Sequence, residues 1–228
     1  MHFGRTRLAQ NGVVLEMIDT IPTRIRLIYT KSGNLRFIGH LDLQSLWERA
    51  FRRADLPMQF SQGFSPKVRL NLASALPLGI TSDCEVIDFW LVRPTPLDEI
   101  HQALAGALPA ELQILSLEFV PLALPSLQSS MQASEYLVTF GNEVKTDQFQ
   151  ARVNEFMSAS EIIRIRRGKP YDLRALTQTL EVVPDTPQLQ LFMRLDSREG
   201  ATGRPDEVIS QLGFDPLSCQ IKRIKLIF

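Results

Sequence analysis

Two short stretches of the sequence and one histidine hold side chains that could bind or transform a phosphate-bearing ligand. Residues 63–67 (GFSPK) combine a glycine, an aromatic ring, a hydroxyl and a cation. A loop of this kind can bring backbone N–H groups and Lys67 to a phosphate while Phe64 stacks on a base. The competing interpretation is a tight turn in which Phe64 packs into the core and Pro66 sets the backbone. The local pattern alone favours that turn.

The second stretch, residues 164–171 (RIRRGKPY), is rich in arginine. Strand alternation puts Arg164 and Arg166 on one face and two isoleucines on the other. Two neighbouring arginines can grip backbone phosphates, and Tyr171 can stack on bases. An edge strand protected by charge explains the same pattern equally well.

His40 is the third candidate, because it follows Gly39 at the predicted start of a helix. An imidazole near arginines can act as a general base or acid. In an RNA-cleaving enzyme of this kind, Lys31, Arg36 and Lys67 would stabilise the charged transition state. The simpler interpretation is a histidine that is hydrogen-bonded to the backbone at the start of a helix. Because a single histidine is a weak signal for catalysis, this simpler interpretation is favoured.

Composition excludes several classes of protein. The 228 residues are 44% hydrophobic and 22% charged, as in a soluble globular protein rather than a disordered chain. Two cysteines are too few for a disulfide scaffold, a four-cysteine zinc site or an all-cysteine iron–sulfur cluster. Cys84 lies among acidic residues in a predicted strand, so a low thiol pKa is not expected. No apolar run of membrane-spanning length and no signal peptide is present, so the cytoplasm is the expected location.

Charge is balanced in total, with 25 basic and 25 acidic residues, but it is segregated along the chain. Residues 21–80 hold nine basic and three acidic residues. Residues 81–160 hold three basic and eleven acidic residues, and residues 161–174 hold five basic and two acidic residues. This segregation predicts a basic face and an acidic face, and arginine suits phosphates and planar groups. Pairing of the blocks inside the fold is the alternative. The predicted RNA-binding residues are Lys31, Arg36, His40, Arg49, Arg52, Arg53, Phe64, Lys67, Arg69, Arg164, Arg166, Arg167 and Lys169.

Hydrophobic periodicity predicts an α+β fold in which the order β-α-β-β-α-β occurs twice, as in tandem ferredoxin-like domains. One continuous α+β sheet is the alternative. Residues 35–38 are expected to be extended, and an extra strand or hairpin is expected around residues 167–173. The predicted strands are 24–30, 68–75, 84–92, 111–120, 135–141, 161–166, 174–183, 188–195 and 219–228, and the helices are 41–54, 96–107, 145–158 and 205–212. The predicted divisions are a flexible extension (1–21), a first domain (22–121), a linker (122–134) and a second domain (135–228).

Several motifs resemble the bacterial radical-SAM-linked protein family, a domain of unknown function. The resemblance covers roughly residues 22–228 and is most specific over 31–92. Members of this family are commonly fused to, or encoded beside, a radical-SAM protein with a cobalamin-type domain, often near ribonuclease and ribosomal protein genes. The 63–67 loop departs somewhat from the family pattern, and no catalytic residue is carried over. The motifs are KSGNLRFIGHLDL (31–43), RAFRRA (49–54), GFSPK (63–67) and ALPLG (75–79).

This resemblance implies work on RNA or the translation apparatus. The chain lacks a CxxxCxxC motif, so no cofactor is expected in it, and an iron–sulfur cluster and SAM are expected only in the partner. We therefore predict an accessory module without catalytic activity, which presents an RNA or ribosomal substrate to a radical-SAM enzyme while the acidic segment 81–160 faces that partner. One alternative is a metal-independent RNA-processing enzyme using His40, similar in outline to tandem ferredoxin-like CRISPR endoribonucleases. The other is an adaptor whose basic face binds an acidic protein.

Overall fold

The computed structural model describes residues 22–141 and 146–228. Within them, alternating apolar residues form strands and amphipathic segments form helices close to the predicted positions. Short 3-10 helices cover Gly33–Phe37 and Pro216–Ser218. The strands are β1 (Thr23–Lys31), β2 (Leu70–Leu72), β3 (Thr81–Leu91), β4 (Leu112–Val120), β5 (Ala133–Thr139), β6 (Ile163–Arg166), β7 (Lys169–Asp172), β8 (Thr177–Val183), β9 (Gln190–Arg198), β10 (Ala201–Thr202) and β11 (Gln220–Ile227). The helices are α1 (His40–Arg53), α2 (Leu97–Ala105), α3 (Leu127–Ser130), α4 (Thr146–Ser158) and α5 (Pro205–Gln211).

Nine of these strands form one mixed sheet. In the first half, β1 pairs antiparallel with β3 and β4, and β2 pairs with β3. In the second half, β9 pairs antiparallel with β5 and β8, and β5 with β11. A short parallel pairing of β11 with β3, Lys222 with Thr81 and Arg223 with Ser82, joins the halves. The α+β class is confirmed. Because the sheet is continuous, the finer prediction of two tandem ferredoxin-like domains is not confirmed.

Four of the helices, α1, α2, α4 and α5, pack on one face of this sheet. Leu43, Trp47 and Phe51 form the buried stripe of α1, and they lie on the buried side chains of β1. Tyr29 of β1 meets Trp47 edge to face, with ring centroids 4.9 Å apart. Aromatic pairs of this geometry add to the free energy gained from burial. The stripe therefore fixes which face of α1 is left for solvent.

A second core lies under α4 and α5 in the second half. Leu76 and Ile80, from the segment that connects β2 to β3, belong to this second core. Residues 76–80 therefore reach the second half on the helix face of the sheet. On the opposite face a smaller cluster packs against Leu127 of α3 and Leu226 of β11.

Local differences from the predictions have local causes. Residues 35–37 are in a 3-10 helix instead of extended, because the chain turns at Gly33, whose φ is +54°. A Cβ there would lie 2.8 Å from Cγ of Glu111, so glycine is favoured at this turn. The predicted hairpin is present as β6–β7. The predicted extension, residues 1–21, lies outside the described residues. No helix in the described part of the chain is long and apolar enough to cross a membrane.

Candidate functional site

The arginines of α1 lie on its solvent side. Arg49, Arg52 and Arg53 fall off the buried stripe and are exposed, as their spacing predicts. Their guanidinium groups have no hydrogen bond or ion pair with any side chain or carbonyl in residues 22–141 and 146–228. Unpaired cations on one helix face leave their charge available to an anionic partner.

A protruding loop follows α1 in the chain. The Gln59 N–H donates to the Trp90 carbonyl at 2.7 Å, which anchors the base of the loop on β3. The Ser61 N–H donates to the Lys67 carbonyl at 2.8 Å, and the Lys67 N–H donates to Ser61 Oγ at 3.0 Å. These bonds close residues 61–67 into a turn with Phe64 at its tip. The Phe64 ring is fully exposed, so the interpretation that this ring packs into the core is wrong.

Two further cations of the first half lie over aromatic rings. The Arg69 guanidinium stacks on Trp90 at 4.3 Å and donates to Oε1 of Gln59 at 2.9 Å. Arg36 lies over the exposed ring of Phe37 at 4.7 Å. Stacking orients a guanidinium without neutralising it. Trp90 lies on the face of β3 away from α1, because its neighbours Phe89 and Leu91 belong to the core under that helix. Arg69 therefore lies apart from the α1 arginines, and we define the α1–loop surface by the residues Arg49, Arg52, Arg53, Phe64 and Lys67.

Two arginines of the hairpin β6–β7 face the protein, whereas the RNA-binding prediction requires them to face solvent. Arg166 is ion-paired with Glu207 of α5 at 2.7 Å and stacks on Tyr171 at 4.5 Å. Arg164 donates to the Gln211 side chain at 3.3 Å. Arg164 and Arg166 do share one face of β6, but that face is turned to the protein because α5 supplies polar partners there. At the turn, Arg167 and Lys169 are exposed.

The other face of β6 is apolar and open to solvent. Ile163 and Ile165 are 55% and 76% exposed. Alternation requires this outcome once the arginines point inward. An apolar strand face in solvent is a feature of protein-binding surfaces more than of phosphate-binding ones.

Lys31 is buried, which corrects its assignment to an RNA-binding surface. Its side chain is the last inward-facing residue of β1, and the residue is only 1% exposed. The ammonium group donates to the Ile38 carbonyl at 3.2 Å. No carboxylate of the described residues lies within ion-pair distance of it. Lys31 therefore cannot contact an RNA held on the α1–loop surface.

Beside Lys31 lies a buried ion pair that joins the two halves of the sheet. Arg223 of β11 is 0% exposed, and it donates to both carboxylate oxygens of Glu85 of β3 at 2.5 Å. The same guanidinium also reaches the carbonyls of Ser74 and Ala75 at 3.4 Å. Among the described residues, Glu85 is ion-paired with Arg223 and not with Lys31. We call Tyr29, Lys31, His40, Glu85 and Arg223 the junction cluster.

Burial dominates the electrostatics of the junction cluster. Burial lowers the pKa of Lys31 below its ordinary value, although the Glu85 carboxylate opposes this. Burial also lowers the pKa of His40, with Arg223 and Lys31 adding repulsion and Glu85 opposing it. His40 is half-buried at the first position of α1. It is therefore neutral at pH 7, and its charged neighbours are mainly cations.

Tyr29 is the polar uncharged member of the cluster. Burial raises the pKa of its hydroxyl well above the ordinary range. The Trp47 indole N–H approaches this hydroxyl without the geometry of a hydrogen bond, so both groups are buried and unsatisfied within the described residues. Cys84, which lies next to Glu85 in β3, has its thiol pKa raised by burial to about 11. A thiolate is therefore absent at neutral pH, as the sequence predicts.

Two of the sequence motifs meet at this cluster. The Gly79 N–H of the ALPLG motif donates to the Arg36 carbonyl of the 31–43 motif at 2.8 Å. The ALPLG segment also supplies the Ala75 carbonyl to Arg223. Sequence reasoning missed Glu85 and Arg223, which lie 138 residues apart. The one available signal was a glutamate in the apolar run 84–92.

Some of the segregated charges form ion pairs inside the fold. Arg24 and Arg26 both bind the buried carboxylate of Asp88, at 2.5 Å and 2.9 Å. Arg194 is paired with Glu135 at 2.5 Å. The alternative of internal pairing therefore holds for these residues, whereas the α1–loop surface keeps its positive charge. Within residues 22–141 and 146–228, no group of three or more histidine, cysteine, aspartate or glutamate side chains could hold a metal ion.

A family model described as "uncharacterized protein conserved in bacteria (DUF2344)" matches residues 24–205. No curated protein sequence matches the chain significantly. Among solved structures, a chain of a Cbf5-Nop10-Gar1 complex aligns with 90% of this chain, at 11% identity and a TM-score of 0.47. A chain of an H/ACA RNP bound to a substrate RNA aligns with 90%, at 10% identity and a TM-score of 0.45. This chain spans about half the length of those chains, 48% and 47%.

Proposed function

The chain belongs to the bacterial family DUF2344, and from the residues of the α1–loop surface we propose that the chain is an RNA-binding module. The ligand is single-stranded RNA, held on the α1–loop surface. Phosphates contact the arginines of α1 and Lys67, and a base stacks on Phe64. Arg69, which stacks on Trp90 on the face of β3 away from α1, is not part of this surface.

The exposure of Phe64 is the observation that supports this proposal most. A phenylalanine ring gains free energy when it leaves water, yet this ring lies at the tip of a closed loop without a protein contact. Lys67 is three residues away and is also exposed. An aromatic ring next to cations suits a base and its phosphate, because every base offers a face for stacking.

Charge supports the same surface. α1 ends at Arg53, and Met58 already pairs with Leu91 at the base of the loop. The arginines of the last helical turn and the loop are therefore neighbours along the chain. RNA binding at unpaired cations releases counterions, which makes the affinity depend steeply on salt concentration.

We expect Phe64→Ala to weaken binding of a single-stranded oligoribonucleotide by roughly tenfold, because one base loses its stacking partner. Arg52→Glu should weaken binding at least as much and also make the salt dependence shallower. Fluorescence anisotropy across a salt series measures both effects. Phe119→Ala and Lys225→Glu are the controls, since these exposed residues lie outside the α1–loop surface. Equal affinities of Phe64→Ala and the parent protein would refute the stacking contact.

We further propose that each half is a ferredoxin-like unit. The strand order of the first half is β4-β1-β3-β2, and that of the second half is β11-β5-β9-β8. Numbered within each half, and with β6, β7 and β10 left out of the second half, both orders read 4-1-3-2 with antiparallel neighbours. Sheets of this kind offer a surface for RNA in several protein families, which is an analogy of fold alone.

The bound RNA is presented to a radical-SAM enzyme in this proposal, in keeping with the sequence resemblance over the 31–92 motifs. If a radical-SAM protein is encoded beside this chain, as is common in the family that it resembles, the purified chain should retain that protein after ribonuclease treatment. If no complex forms at micromolar concentrations, the accessory role is excluded while RNA binding stands. If the two proteins bind but RNA does not bind the chain, the adaptor alternative replaces the module.

A further inference from the structure

We propose that the junction between the two halves binds a phosphate group, held by Lys31, His40 and the N-terminus of α1. This site lies on the helix face of the sheet and is separate from the α1–loop surface. It therefore goes beyond the proposed function and stands or falls independently of Phe64.

The first argument is an uncompensated buried cation. Lys31 is 1% exposed, and its ammonium group has one acceptor within the described residues, the Ile38 carbonyl. Glu85 gives both oxygens to Arg223, so the three charged side chains carry one net positive charge. A buried ammonium without an anion is costly, because the interior solvates it poorly. A bound anion would supply the missing negative charge and the missing acceptors.

The second argument is the start of α1, which is fourteen residues long. The N-cap is Gly39, and no side chain caps the helix. The first intrahelical bond is donated by the Leu43 N–H to the Gly39 carbonyl at 2.9 Å, so the N–H groups before it have no partner in the helix. Lys31 bonds the carbonyl of Ile38, two residues before the helix begins. The ammonium group and the helix N-terminus therefore lie together, as in many phosphate sites.

The neighbouring groups favour phosphate over a cation or a neutral ligand. His40 is half-buried at the helix start, so it can donate to an anion that enters from solvent. The Tyr29 hydroxyl is buried and unsatisfied two residues from Lys31 on the same face of β1. Asp42 lies in the first turn of α1, with Oδ2 3.5 Å from the Cβ position of Gly39, so its carboxylate opposes an anion at the helix start. Because this side chain is exposed, an entering phosphate would displace it toward solvent.

Titration with inorganic phosphate at constant ionic strength tests the proposal. The thermal midpoint should rise and saturate with phosphate, as for any ligand that binds only the folded state. Isothermal calorimetry should show roughly tenfold weaker binding for Lys31→Met, since one charged donor is lost. The His40→Ala variant should also bind more weakly, which tests the site with a second, independent residue. Lys225→Met, on the exposed side of β11, is the control and should bind as the parent does.

Two outcomes would overturn the site. One is a shift that chloride of equal ionic strength reproduces, and the other is equal phosphate binding by the parent and by both variants. The source of the phosphate is then resolved with one oligoribonucleotide, bearing either a 5′-phosphate or a 5′-hydroxyl. Competition with inorganic phosphate by the 5′-phosphorylated form alone assigns the site to an RNA end. Absence of competition by both forms assigns it to a free phosphate or a small phosphate ester.

Discussion

Replacing Glu85 with glutamine is expected to lower the free energy of unfolding by about 3–5 kcal/mol. Glu85 is the only carboxylate bound to Arg223 among the described residues, and Arg223 is 0% exposed. The neutral amide would leave this guanidinium and the Lys31 ammonium buried together without an anion. Breaking a buried pair in this way costs far more than the pair contributes relative to apolar residues, because one charge stays in the interior.

Urea unfolding followed by circular dichroism measures the effect. The matched control is Asp83→Asn, two residues earlier in the same strand. Asp83 is paired with Lys222 at 3.1 Å, but both side chains are about half exposed, at 52% and 48%. Its loss should cost less than about 1 kcal/mol. Similar costs for the two variants would show that the junction pair is solvated, contrary to its burial.

The second large effect is expected at Lys31. In phosphate-free buffer at pH 7, Lys31→Met should raise the free energy of unfolding by about 1–4 kcal/mol, because an apolar side chain replaces a buried cation. The sign of the pH dependence follows from the lowered pKa of Lys31. In the window between that lowered pKa and 10.5, the unfolded chain keeps a proton that the folded protein has released. The parent protein therefore gains stability from Lys31 as the pH rises through this window.

The Lys31→Met variant lacks this gain, so its advantage should shrink as the pH approaches 10.5. Cys84, with its pKa raised to about 11, has the opposite sign and acts above pH 9. It is present in both proteins, so it cancels in their difference. Denaturant melts of both proteins from pH 7 to 10.5 provide the measurement. A parent protein that is more stable than the variant at pH 7, or a difference that ignores pH, would contradict the buried, uncompensated state of Lys31.

Local patterns predicted the elements well. The helix predicted over 41–54 is α1, His40–Arg53, because its apolar spacing and the glycine before it are both local signals. The exposure of Arg52 and Arg53 followed from the same spacing. The hairpin β6–β7 was predicted from its turn residues. In each case the residues that decide the structure lie within one or two turns of each other.

Orientation and long-range partners could not be predicted. Alternation put Arg164 and Arg166 on one face, but only Glu207, 41 residues from Arg166, decides that this face turns inward. Lys31 is buried beside Glu85 and Arg223, and neither of these residues lies near it in the chain. Phe64 shows the opposite outcome, because its ring is exposed although burial is expected for an apolar residue in a loop. The local sequence does not show that this loop protrudes.

The two-residue pairing of β11 with β3 has a consequence for the register of the sheet. Two pairs are few to specify one alignment of parallel strands, and a slip by one residue reverses every side chain. Such a slip would turn Lys222 to the helix face and Arg223 to solvent, and Glu85 would be left buried without its guanidinium. We infer that the ion pair between Arg223 and Glu85 selects this one alignment of β11 with β3 more than it adds to the stability of the pairing. Any other alignment of the two halves leaves the buried Glu85 carboxylate without Arg223, and this unpaired charge disfavours that alignment.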